Sequence, residues 1–133
     1  MEKVLIVDDE ENTRIGLVKL LAQEGYPAKA VANGFEALEF LKNGGIRLVL
    51  TDINMPEMNG LVFLRELNQT YPEVKVVMIT AYGGVGSYLE AMNLGALEYL
   101  HKPVKLRDLQ LVLSKTLDHP DSPDDSSTLF DGR

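Results

Sequence analysis

The chain of 133 residues has no cysteine, so disulfides and thiolate metal centres are excluded. Bases are scarce too: 13 against 20 acids leave a net charge of −7, which argues against a nucleic-acid surface within these residues. No apolar run is long enough to span a bilayer, and the N-terminus lacks an apolar core behind a basic segment. A cytoplasmic location without membrane contact is therefore the expectation. No internal repeat is visible. What is present is an ordinary globular composition, 45% apolar and 25% charged, at a length that suits one domain with a real core.

The stretch from Val49 to Gly60 organises the rest. An apolar run from Leu48 stops at Asp52, and Pro56, Asn59 and Gly60 then punctuate a loop before the next apolar segment. Four further strands are expected: Lys3 to Asp8, Ala28 to Ala32, Val74 to Thr80 and Leu97 to His101. Val74 to Thr80 is the most apolar and is expected at the sheet centre. Between them, helical spacing marks Glu10 to Glu24 through Ile15, Val18 and Ala22, with Leu17, Leu20 and Leu21 alongside, then Phe35 to Leu41, and a helix through Leu61, Leu64 and Leu67. Two more follow, through Tyr88, Leu89 and Met92, and through Leu106, Leu109, Leu113 and Leu117, with Leu111 on the opposite side. Strand and helix alternate five times with short connections, which predicts an α/β fold with a doubly wound parallel sheet over residues 1–118. Residues 119–133 are rich in Pro, Ser and Asp and read as a disordered linker or tail.

The strand ends carry the chemistry. Asp8 and Asp9 stand at the end of the first strand, Asp52 ends the third, Thr80 ends the fourth and Lys102 follows the fifth, all on one rim. Three converging carboxylates repel one another unless a cation joins them, and an all-oxygen set suits Mg²⁺. A carboxylate so placed can attack phosphorus to give an aspartyl phosphate, with the Thr80 hydroxyl and the Lys102 ammonium holding the phosphoryl oxygens. Alone, Asp8 or Asp9 reads as a helix cap, Thr80 as a β-branched strand residue and Lys102 as a solvated charge. Their shared rim decides for the site. His101 reads as an exposed or partner-facing side chain.

Asp8-Asp9, Asp52 with Met55-Pro56 and Gly60, Thr80-Ala81, and Gly95-Ala96-Leu97-Glu98-Tyr99-Leu100-His101-Lys102-Pro103 resemble the receiver domain of two-component response regulators over about residues 2–118. The resemblance implies a flavodoxin-like five-stranded sheet of order 2-1-3-4-5 flanked by five helices. It implies that Asp52 accepts a phosphoryl group from a sensor histidine kinase or phosphotransfer protein. Asp9, Asp52 and the backbone carbonyl of Asn54 would bind Mg²⁺ directly and Asp8 through water. It also implies a cis Lys102-Pro103 peptide and a switch in which Thr80 moves inward and Tyr99 rotates. The face of the fourth helix, fifth strand and fifth helix would change shape, meeting an output domain or effector, or a second copy in a homodimer. A transcriptional output is the analogy with receivers of the nitrogen-regulator class. Val104 stands where an aromatic is common in the family, and Tyr82 is bulky where hydrolytic water would pass.

Three other functions compete. A Mg-dependent aspartate-nucleophile phosphatase, a turnover enzyme, would want a second Asp where Asn54 stands, and a cap domain. A flavin-binding electron carrier would want a phosphate loop where Asp8-Asp9-Glu10 repels one. A phosphate-independent docking module needs none of the acids. The resemblance implies a switch that assists its own phosphorylation without turnover on external substrates.

Overall fold

The computed structural model describes residues 2–55, 57–81 and 84–117; Pro56, Tyr82, Gly83 and the expected tail, residues 119–133, lie outside the described residues. Five strands, β1 (Val4–Val7), β2 (Ala28–Val31), β3 (Leu48–Asp52), β4 (Lys75–Thr80) and β5 (Glu98–His101), alternate with five helices. These are α1 (Glu11–Gln23), α2 (Gly34–Leu41), α3 (Gly60–Thr70), α4 (Val85–Asn93) and α5 (Leu106–Thr116). The sheet is wholly parallel, in the order β2-β1-β3-β4-β5. This is the expected order.

The apolar runs explain which strands lie inside. Every residue of β1 and β3 is buried, and all of β4 except Lys75, whereas β2 and β5 alternate in exposure as edge strands do. β3, not β4, takes the central place, a correction to the expected position of the most apolar strand. β4 still has a neighbour on both sides, β3 and β5, and that is what its composition reports.

Side chains alternate across the sheet into two cores. On one face Leu5, Val7, Val49, Val76 and Met78 pack with Ala37 of α2, Phe63, Leu64 and Leu67 of α3 and Ala91 of α4. On the other, Val4, Ile6, Leu48, Leu50, Val77 and Ile79 meet Leu17 and Leu21 of α1 and Leu109, Val112 and Leu113 of α5. Each fully buried side chain of this size contributes roughly 1.5–3 kcal/mol of transfer free energy.

Two helical faces differ from the expectation. In α1 the buried pair is Leu17 and Leu21, while Ile15 is 47% exposed and Ala22 lies on the outer side. The helix has apolar residues on several sides, and the packing selects one i, i+4 pair among them. In α5 the buried face runs through Leu109, Val112, Leu113 and Leu117, leaving Leu106 exposed in the first turn. Leu111 points outward as expected.

Helix ends follow local chemistry. Asn33 accepts the Glu36 N–H (2.9 Å) while the Glu36 carboxylate accepts the Ala32 N–H (2.8 Å), a reciprocal cap that starts α2. Asn59 accepts the Leu61 N–H (2.6 Å) and starts α3. Gly25 stops α1 at φ 90°, a left-handed conformation open to glycine at low cost.

α4 is the thinly held helix. It starts at Gly84 without a side-chain cap, Ala91 is its one buried residue, and Val85 and Leu89 face outward. A Cβ on Gly86 would meet nothing within 4 Å. Gly86→Ala is therefore expected to stabilise α4 by about 0.5–1 kcal/mol through the backbone alone. Slower amide hydrogen exchange in α4, with the other helices unchanged, is the expected reading. Unchanged exchange in α4 would contradict it.

Candidate functional site

Because the strands are parallel, their C-terminal ends share one rim, and the sequence places its polar residues there. Asp8 follows β1, Asp52 ends β3 and Thr80 ends β4, each buried within that apolar frame, while Lys102 follows β5. One carboxylate oxygen from each of Asp8, Asp9 and Asp52 lies within 4.8 Å of the others. Asp8 and Asp52 are buried and Asp9 is exposed.

Lys102 ties the acids together. Its ammonium donates to Asp8 Oδ2 at 2.7 Å and to Asp52 Oδ2 at 3.0 Å. Burial pulls the Lys102 pKa down, but the hydrogen bonds and the attraction of both carboxylates more than offset this and leave it above the ordinary lysine value. The second oxygens are held by backbone: Asp8 Oδ1 accepts the Glu10 N–H at 2.8 Å and Asp52 Oδ1 accepts the Asn54 N–H at 3.1 Å. Glu10, not Asp8, stands at the N-cap of α1, without a side-chain capping hydrogen bond. One Asp8 oxygen takes an N–H at the mouth of α1 and the other takes the lysine.

Thr80 is fully buried, and its carbonyl accepts the Lys102 N–H at 2.8 Å, which joins the ends of β4 and β5. The Lys102-Pro103 peptide is cis. Tyr99 lies on the other side of β5, buried, with its hydroxyl donating to Ser87 Oγ of α4 at 3.1 Å. Its ring meets Tyr88 and His101 edge to face, with centroids at 5.5 and 5.6 Å. His101 is exposed. Asn54 is also exposed, directly after the turn that leaves Asp52.

Two features of the rim were not read from the sequence. Arg14 of α1 reaches back and donates from Nη1 to the carbonyl of Asp8 at 2.8 Å. Its spacing from the acids gives no sign of this, because the contact depends on the turn between β1 and α1. Gly60 opens α3 and packs closely against the backbone at the exit of β3. Its N–H donates to the Ile53 carbonyl at 2.7 Å. A Cβ there would stand 2.3 Å from the Asp52 carbonyl oxygen and 2.6 Å from Ile53 Cα.

A parallel 2-1-3-4-5 sheet with acids, a threonine and a lysine at its C-terminal rim defines a class of signalling domain. The family model of the response regulator receiver domain matches residues 4–114, and the chain belongs to that family. It is 40% identical over 116 residues to the transcriptional regulatory protein ZraR of Klebsiella oxytoca, a match that covers 87% of this chain and 26% of that protein. The chain thus spans about a quarter of the length of the transcriptional regulators it resembles. It is 34% identical over 116 residues to sporulation initiation phosphotransferase F of Bacillus subtilis, covering 87% of this chain and 94% of that protein. Among solved structures, a CheY-like receiver domain protein of Methanospirillum hungatei superposes with a TM-score of 0.81 at 31% identity, covering 86% of this chain and 92% of the other. Among the described residues, no helix is long and apolar enough to cross a membrane.

Proposed function

We propose that the protein is a phosphorylation-controlled switch of the cytoplasm, with Asp52 as the phosphoacceptor and a sensor histidine kinase or phosphotransfer protein as the donor. The observation that carries this is the pair of contacts from Lys102 to Asp8 and Asp52, a cation already seated between a buried nucleophile and a neighbouring acid. Asp52 attacks the phosphorus of a phosphohistidine; a P–O bond forms, the P–N bond breaks, and its electron pair leaves with the imidazole nitrogen. Lys102 then shares its donors with the new phosphoryl oxygens, and Thr80, at the end of β4, supplies a hydroxyl.

The acids fit a divalent metal ion. Three carboxylates and one ammonium leave two negative charges on the rim, and the donors are hard oxygens. Asp9, Asp52 and the Asn54 carbonyl would hold Mg²⁺ directly and Asp8 through water. Bound there, the ion supplies further neutralisation of phosphoryl charge.

Donor and output surfaces flank the rim. Beside Lys102, a largely apolar groove of about 550 Å³ runs between α1 and the segment that follows β5, lined by Leu17, Leu20, Pro103 and Val104 with Glu10 and Thr13, and it suits the helix that presents the phosphohistidine. On the far side, Tyr99 links β5 to Ser87 of α4, the helix with the least packing. A change at Thr80 that lets Tyr99 turn would be felt there. The exposed Val85, Tyr88, Leu89 and Leu111 of α4 and α5 then offer a face to an output domain, an effector or a second copy. A transcriptional output draws its support from the regulators that the chain resembles.

The test is incubation with acetyl phosphate and Mg²⁺ followed by intact-mass measurement. The parent is expected to gain the mass of one phosphoryl group and Asp52→Asn none. Equal labelling of both would reject Asp52 as acceptor. Steady release of phosphate from a small phosphoester would instead favour the aspartate-nucleophile phosphatase, and failure of both assays the phosphate-independent docking module.

A further inference from the structure

We infer that Arg14 is a positioning residue of the acidic rim: by holding the Asp8 carbonyl it fixes the turn that carries Asp9, and so sets the affinity of the rim for a divalent cation. This rests on the proposed role of the acids as metal ligands. The turn from Asp8 to Glu10 leaves β1 and enters α1 within three residues, and among the described residues its backbone is tied at four points. The Asp8 N–H donates to the Val31 carbonyl of β2 at 3.1 Å, and Asp8 Oδ1 accepts the Glu10 N–H at 2.8 Å. The Glu10 carbonyl accepts the Arg14 N–H at 3.1 Å, and the Asp8 carbonyl accepts Arg14 Nη1 at 2.8 Å. Arg14 supplies two of the four, one from its backbone and one from its side chain.

Asp9 is the acid that needs this. Asp8 and Asp52 are buried, and each is held through both oxygens by a backbone N–H and by Lys102. Asp9 is exposed, so its carboxylate is located by the backbone beneath it. The carbonyl that Arg14 holds belongs to the Asp8–Asp9 peptide, whose rotation would swing Asp9 away from the other two acids.

The ordinary reading of an arginine in the first turns of a helix is a solvated charge. Against it, Arg14 is only partly exposed, and its guanidinium bonds to a carbonyl six residues earlier, outside its helix. The two readings differ in sign. A bare positive charge beside the acids opposes a second cation, so its removal would tighten metal binding. A group that fixes the turn does the reverse, and outer contacts of this kind commonly set metal affinity by 10–100-fold.

The experiment is calorimetric titration of Mg²⁺ into the parent, Arg14→Met and Arg14→Lys, with circular dichroism in EDTA to establish that each is folded. Arg14→Met is expected to bind Mg²⁺ about tenfold more weakly. Arg14→Lys, which keeps the charge and one donor but not the fork, is expected to fall between it and the parent. If Arg14→Met does not fold, Arg14→Gln is judged by the same criterion. A neutral variant that binds Mg²⁺ as tightly as the parent, or more tightly, overturns the inference while leaving the metal site standing. A parent that takes up no Mg²⁺ overturns both.

Discussion

Lys102→Met is expected to lower the stability of the metal-free protein by about 3 kcal/mol, the scale seen when one partner of a buried ion pair is removed and the other is left without compensation. Here two carboxylates are left, because the same ammonium serves Asp8 at 2.7 Å and Asp52 at 3.0 Å. Both carboxylates are nearly closed to water, so solvent cannot take over the lysine's part. Urea unfolding in EDTA measures the loss. Repeating it in Mg²⁺ should recover part of that loss, since a divalent cation supplies the missing positive charge. A midpoint in EDTA equal to the parent's would show that Lys102 does not neutralise the rim.

The pH dependence of the parent has a definite sign. The folded pKa of Lys102 is raised, so its contribution is complete below the ordinary lysine pKa. It is lost only as the pH climbs through the raised value. This lysine therefore gives the parent's stability no slope across neutral pH and a decline in strong alkali, and Lys102→Met should lack that decline.

The second large effect is expected at Gly60. Its Cβ would collide with the Asp52 carbonyl and Ile53 Cα, which are backbone atoms of the β3 exit and cannot rotate aside. Gly60→Ala should cost about 2–3 kcal/mol as overpacking. It should also displace the turn that orients Asp52, slowing phosphoryl uptake from acetyl phosphate on the order of tenfold or more. Gly34 is the control. A Cβ there meets the Met58 sulfur at 2.7 Å and the Phe63 ring at 3.3 Å, both side-chain atoms rather than backbone, so Gly34→Ala should be tolerated better. Equal losses at the two glycines would remove the argument from close backbone approach.

Much of this fold was legible because a parallel sheet buried on both faces writes itself as short apolar runs. The apolar run from Leu48 to Asp52 coincides with the strand it forms, and the rim acids stand out by ending such runs. Apolarity could not say which of two interior strands is central, since β3 and β4 both have neighbours on either side. Nor could periodicity choose between Ile15 and Leu17 on a helix with apolar residues on several sides. The least legible contacts were those from side chain to backbone. Arg14 on the Asp8 carbonyl and Gly60 against the Asp52 carbonyl depend on how a turn closes, and residue type alone carries no record of that.

The rim also has a history in the making of each molecule. Asp8 follows β1, and its counter-ion, Lys102, follows β5, with three strands and four helices between β1 and β5. Contacts so distant in sequence form late, after the entropy of closing the intervening loops has been overcome. A folding chain that has not yet brought β5 alongside β4 holds its acids without their lysine, so the rim is assembled only as folding is completed.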